Sequence, residues 1–160
     1  MKNIHVQAQK DHIASLCTAS PIQALAELIW NALDADAFDV KVDIIQNALG
    51  GIDAIRVSDD GQGINALDAD RHFGNLGGSW KRDAPRTPIS GRVLHGSKGR
   101  GRFKAFALGN RVEWRTTLEV DGGLRSFMLA GSADDPGLFT LVEAASPGPA
   151  TGTEVMITEI

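Results

Sequence analysis

From Pro21 onward, apolar Leu25, Leu28, Ile29, Ala32 and Leu33 recur three and four positions apart. That spacing predicts an amphipathic helix running to about Asp36. Its start is written into Ser20-Pro21-Ile22-Gln23: a side-chain cap, a proline at the first helical position, and a glutamine to complete a capping box. Residues 10–17 predict a shorter helix before it. The period then drops to two, with Val40, Val42 and Ile44 on one face of a strand over 38–46. Asn47–Gly51 reads as a turn into a second, paired strand over 52–58. A short helix is predicted over 66–73. Gly and Pro break any pattern from 74 to 98, a length typical of functional loops. Phe103–Leu108 predicts a helix that begins in glycines. Four strand segments follow, near 111–120, 124–130, 138–144 and 153–160, with turns at Asp121-Gly-Gly and Pro147-Gly-Pro. This order predicts an α/β two-layer sandwich, with helices on one face of a mixed, mostly antiparallel sheet. The alternation is too irregular for a doubly wound parallel sheet.

Composition narrows the class. The chain has 160 residues, 42% hydrophobic and 22% charged, which suits one soluble domain over 1–160. Cys17 is the single cysteine, so neither a disulfide framework nor a cysteine-based zinc site is expected. His5, His12, His72 and His95 show no metal spacing. The N-terminus lacks an apolar leader core and no run is long enough to span a membrane, so a cytoplasmic location and no membrane partner are expected. The net charge of -4 conceals an asymmetry: ten of the 16 Lys and Arg residues fall between Arg71 and Arg111, where Asp83 is the only acid. Such a stretch serves a polyphosphate, a nucleic acid or solubility alone; glycines woven through it favour phosphate.

Three segments carry candidate chemistry. At 100° per residue, Glu27, Asn31 and Asp34 stand within about 60° of one another, opposite the apolar stripe. That face is either a solvated surface or a site: an amide oxygen suits Mg²⁺ and a nearby Glu can take a proton from water. Asp59-Asp60-Gly61-Gln62-Gly63-Ile64 ends a strand in a glycine turn, where a carboxylate can accept from an adenine amine. A plain Asp-Gly turn fits this fragment alone equally well. Gly96, Gly99 and Gly101, with Lys98, Arg100, Arg102 and Lys104, offer backbone N–H groups and charge to an anion. The pattern is neither a Walker A loop nor a dinucleotide fingerprint.

Read in order, the segments resemble the ATP-binding domain of the GHKL superfamily (Bergerat fold), shared by DNA gyrase B, the HtpG chaperone, histidine kinases and MutL proteins. The likeness runs from about Pro21 to Ile160. It implies that Glu27 is the general base, that Asn31 holds Mg²⁺, and that Asp34 and Ala35 complete the first box. It further implies that Asp59, with Gly61, Gly63 and Ile64, reads adenine. Gly96, Ser97, Lys98, Gly99, Arg100, Gly101, Arg102, Phe103 and Lys104 resemble the lid over the phosphates. Gly152-Thr153-Glu154-Val155 resembles the late strand whose Thr supports the adenine pocket. Asn75 and Lys81 are similar to a chaperone segment along the nucleotide, at shifted spacing. Asn31-Ala32-Leu33-Asp34-Ala35 looks like the ATPase branch rather than the kinase branch, and the lid looks most like chaperone-like or MORC-like bacterial ATPases.

The implied cofactors are ATP and Mg²⁺, and the implied output is lid closure coupled to dimerisation or partner engagement. In gyrase B and MutL a lysine from a following domain completes the phosphate site. The chain is therefore expected to be the N-terminal fragment of a longer protein, its C-terminal domains being partners, unless Lys81, Lys98 or Lys104 substitutes. Two other readings stay open: an ATP-binding regulatory module without turnover, and a nucleic-acid interaction domain using 71–111. Trp30 and Trp114 are expected as core or interface aromatics, Trp80 as exposed, and His95 is the histidine nearest the lid.

Overall fold

A computed structural model describes residues 10–65, 86–95 and 101–160. The expected helix over 66–73 and the residues Asn75, Trp80, Lys81 and Gly96–Arg100 lie outside the described residues, as do His5 and His72.

The first described element, α1, spans Lys10–Leu16. Helix α2 spans Pro21–Asp34. The Ser20 hydroxyl accepts the Gln23 N–H, and the Gln23 side chain accepts the Ser20 N–H, each at 3.3 Å. This reciprocal pair satisfies donors that a helix start leaves open. Ala24, Leu28 and Ala32 form the buried row. The helix stops two residues before the expected end. Ala35 caps it, and Asp36 turns the chain out at φ 62°.

Strands β1 (Val40–Gln46) and β2 (Ile52–Asp59) form an antiparallel hairpin. The Asn47 carboxamide oxygen accepts the N–H groups of Leu49 and Gly51 in the turn. After one α-turn, α3 (Gly101–Lys104), and one 3₁₀ turn (Ala105–Ala107), come β3 (Arg111–Val120), β4 (Gly123–Ser132), β5 (Phe139–Glu143) and β6 (Gly152–Thr158). The last strand does not extend the meander. It inserts between β2 and β3, giving the order β1-β2-β6-β3-β4-β5. Every described strand pair is antiparallel.

The helices cover one face. Ala24 and Leu28 from α2 join Phe103, Ala105, Phe106 and Leu108 against Ile55, Val57, Val112, Trp114, Leu129, Val155 and Ile157. Trp114 is buried, as the sequence led one to expect. Removing the Leu129 or Ile157 side chain here would cost about 2–5 kcal/mol. The opposite face carries charge instead, with Asp43–Arg56 and Glu113–Arg115 pairs at 2.9 and 3.3 Å. A sheet apolar on one side and solvated on the other is the two-layer arrangement the pattern predicts.

Insertion of β6 positions the site. It registers Thr153 opposite Asp59 on one side and Thr116 on the other. Residues almost a hundred positions apart thereby become neighbours.

Candidate functional site

The first half of the site grows from the end of β2. The Asp59 Oδ1 atom accepts the Gly61 N–H at 2.9 Å and the Thr153 N–H at 3.2 Å. Burial pushes its carboxyl up from the ordinary value, helped by the neighbouring Asp60 charge, while those two N–H groups pull it back. Asp60 has the opposite environment. It accepts the N–H groups of Phe38 and Asp39, and its carboxyl is held down by backbone donors. Of two adjacent carboxylates, one clamps the start of β1 and the other sits partly buried at a strand end.

Thr116 and Thr153 stand beside Asp59 in the sheet. Their hydroxyls lie 3.2 Å apart, and Thr116 Oγ1 accepts the Ile64 N–H at 2.7 Å. Gly63 sits at φ 76°, and a Cβ there would come within 2.3 Å of the Thr117 carbonyl oxygen. Only glycine fits that position. Thr116 was missed by sequence reasoning. Its signal was present: a threonine interrupts the buried row Val112, Trp114, Leu118, in register with another threonine on the late strand.

The second half grows from α2. Asn31 is exposed and Glu27 half-buried, while Asp34 is buried. The outward face is therefore narrower than its helical spacing suggests. Asp34 Oδ1 accepts the His95 N–H at 2.9 Å, and His95 stacks on Trp30 with centroids 3.7 Å apart. Gly101 packs directly against the remaining pair. A Cβ on it would lie 2.7 Å from Glu27 Oε2 and 3.6 Å from Asn31 Nδ2. Lys104 reaches Glu27 Oε1 at 2.5 Å. Arg102 folds over the Phe103 ring at 4.4 Å, and burial lowers its guanidinium to about 10, so it stays charged at neutral pH.

Asp36 joins the halves. Its Oδ2 accepts from the Gln62 side chain and the Ile89 N–H, each at 2.9 Å, and its Oδ1 accepts from the N–H and hydroxyl of Ser90. Burial works to raise this carboxyl, but Ser90, Thr87 and the two backbone donors outweigh it and hold it at about 2. Arg92 adds a 2.6 Å bond to the Ala37 carbonyl. Segment 86–95 is thus fastened to the end of α2 just before the glycine-rich stretch. Nothing in helical periodicity marks Asp36, because its role depends on a loop 53 residues away.

The boxes meet around Ala35. Its carbonyl accepts the Gln62 N–H at 2.9 Å and would lie 2.7 Å from a Cβ on Gly61. So α2, the β2 turn, segment 86–95 and α3 are drawn together by direct contacts. Among the described residues, no cluster of three His, Cys, Asp or Glu could hold a metal unaided. Asn31 offers a neutral oxygen with no hydrogen-bond partner among the described residues, a donor that suits a cation carrying waters and phosphate oxygens. Among the described residues, no helix is long and apolar enough to cross a membrane.

Comparison with known proteins bears on the family. The profile of the family described as histidine kinase-, DNA gyrase B- and HSP90-like ATPases matches residues 19–135. The chain is 32% identical over 103 residues to "Putative type II restriction enzyme HgiDII" of Herpetosiphon aurantiacus, covering 64% of this chain and 16% of that protein. It is 25% identical over 156 residues to the DNA mismatch repair protein MutL of Halalkalibacterium halodurans, covering 94% of this chain and 22% of that protein. MutL of a Thermoanaerobacter strain is 45% identical over 49 residues, or 31% of this chain and 8% of that protein. The chain thus matches less than a quarter of the length of each.

Proposed function

The chain belongs to the histidine kinase-, DNA gyrase B- and HSP90-like ATPase family, and from that premise we propose that it binds and hydrolyses Mg²⁺-ATP along the edge between β2, α2 and α3. Binding of ATP is the family's general property; the residue roles below are our reading.

Asp59 accepts the adenine amine, with Thr116 and Thr153 supporting it and Gly61, Gly63 and Ile64 shaping the wall. Partly buried and with only one oxygen occupied by backbone donors, its carboxylate suits a base edge. Asn31 holds Mg²⁺, which when bound neutralises phosphate charge. Glu27 orients the attacking water and accepts its proton. Asp34 and Asp36 hold the segment leading into Gly96–Arg100, and residues 96–104 close over the phosphates; Asn75 and Lys81 lie along the nucleotide. Closure couples to dimerisation or to further domains of a larger protein.

One observation carries the reading: the start of α3 packs against both Glu27 and Asn31. Two sequence boxes 74 residues apart thus meet at the two side chains assigned to water and metal. The test is calorimetric titration of a non-hydrolysable ATP analogue with Mg²⁺, with a GTP analogue as control. Adenine-selective binding that Asp59→Asn removes is expected; equal affinity for both nucleotides would sink the assignment.

Nucleic-acid binding by 71–111 ranks third, below ATP binding without significant turnover. Its support is that the relatives are named for DNA mismatch repair and restriction. Against it, Arg92, Arg102 and Lys104 are engaged within the fold. Steeply salt-dependent DNA binding indifferent to ATP would favour it.

A further inference from the structure

The Glu27 carboxylate faces a single element, with one oxygen ion-paired and the other close to its backbone. Oε1 meets the Lys104 ammonium at 2.5 Å, and Oε2 lies against Gly101 at the other end of α3. The two side chains are 31% and 32% exposed. A pair that open to water is held by little and can exchange partners readily. Yet while it lasts the Lys104 ammonium occupies Oε1, the position a water would need in order to hand over its proton there. Lysine suits such exchange, being a point charge on a flexible stem rather than a fixed fork.

We propose that Lys104 is an exchangeable counter-ion: it pairs with Glu27 until a nucleoside triphosphate binds, then moves to the terminal phosphate and frees Glu27 to take the water's proton. The inference rests on the ATPase reading above and adds to it a regulation of the same site. A triphosphate at this edge brings several negative charges close to α3, against the single charge of Glu27. A diphosphate ends one phosphoryl group short, so Lys104 stays on Glu27 and the base remains blocked. The transfer then balances as follows. The water oxygen bonds to the γ-phosphorus, its proton passes to Glu27, and the β–γ bridging bond breaks with its electron pair leaving on ADP. After phosphate departs, Glu27 releases the proton to solvent and Lys104 returns. A chain built this way needs no outside lysine to sense the terminal phosphate.

The test compares a non-hydrolysable ATP analogue with ADP, both with Mg²⁺, by calorimetry on the chain and its Lys104→Met, Lys104→Arg and Glu27→Gln variants. Lys104→Met is expected to weaken the triphosphate about 10- to 100-fold, the loss of one charge-assisted hydrogen bond, and to leave ADP unchanged. Lys104→Arg keeps most of the preference. Glu27→Gln tightens the triphosphate, because no pair has to break. If Lys104→Met preserves the triphosphate-to-diphosphate ratio while both nucleotides bind, the exchange is wrong and the ATPase reading stands. If the unmodified chain binds neither adenine nucleotide, the pocket reading fails and the exchange with it. Should Lys104→Met not fold, NMR of the unmodified chain with ¹³C-dimethylated lysines decides the question. The Lys104 signal must move with the triphosphate and stay put with ADP; an equal response to both overturns the proposal.

Discussion

The two ends of the candidate site are built from different materials. At the Asp59 end, β2, β6 and β3 supply the groups, and the sheet's own register fixes their spacing. Thr116 and Thr153 are buried, and the backbone N–H groups of Gly61, Ile64 and Thr153 each find a side-chain oxygen. At the Glu27 end, one helix faces a single turn of α3 across a partly exposed ion pair. Preorganised polar groups hold a ligand at little cost in reordering, whereas an exposed pair rearranges when charge arrives. On the proposed reading, the base-recognising end would be preformed and the phosphate end would respond to the ligand.

That contrast can be broken at either end. The largest expected effect is on turnover: Glu27→Gln should slow hydrolysis by about 10²–10⁴-fold, the usual contribution of a positioned base. Nucleotide affinity should survive, so a steady-state phosphate assay beside calorimetry separates the roles; lost affinity would make Glu27 structural. Next comes Asp59→Asn, which turns an amide donor toward the adenine amine or toward Gly61 and Thr153. Affinity should fall about 100-fold by the cost of an unmade buried hydrogen bond to a charged group.

Between the two ends, Asp36→Asn should cost about 2 kcal/mol of stability through its lost charge-assisted bonds, read as a denaturation midpoint. Its pH dependence is definite. The folded carboxyl titrates at about 2 against an ordinary 3.8, so folding releases protons. The stabilisation is complete above about pH 4 and is lost as pH falls through about 2. The variant should lack that part of the acid limb. Smallest is Thr116→Val, which strips the Ile64 N–H of its acceptor for about 1 kcal/mol. It should weaken adenine nucleotides slightly and leave the Glu27 end untouched; a larger effect on turnover than on binding would mean the ends are coupled.

Local order was legible where it is local. The capping box, the helical stripe and the Asp121-Gly122 turn each depend on residues within a few positions, and each formed as read. Asp34 was misjudged in environment because spacing gives direction, not cover: segment 86–95 folds back and buries it. Trp30 was expected in a core or interface and is instead half-exposed, under His95.

The sequence by itself determined the elements, the one-sided apolar sheet and the identity of the chemical groups, because period, capping and turn chemistry act through neighbours along the chain. The tertiary structure decided which groups meet. It placed β6 between β2 and β3, gave Asp59 its Thr153 partner, fastened 86–95 on Asp36, and set Lys104 on Glu27. Those outcomes depend on strand order and on burial shared by distant segments, which a one-dimensional pattern does not carry.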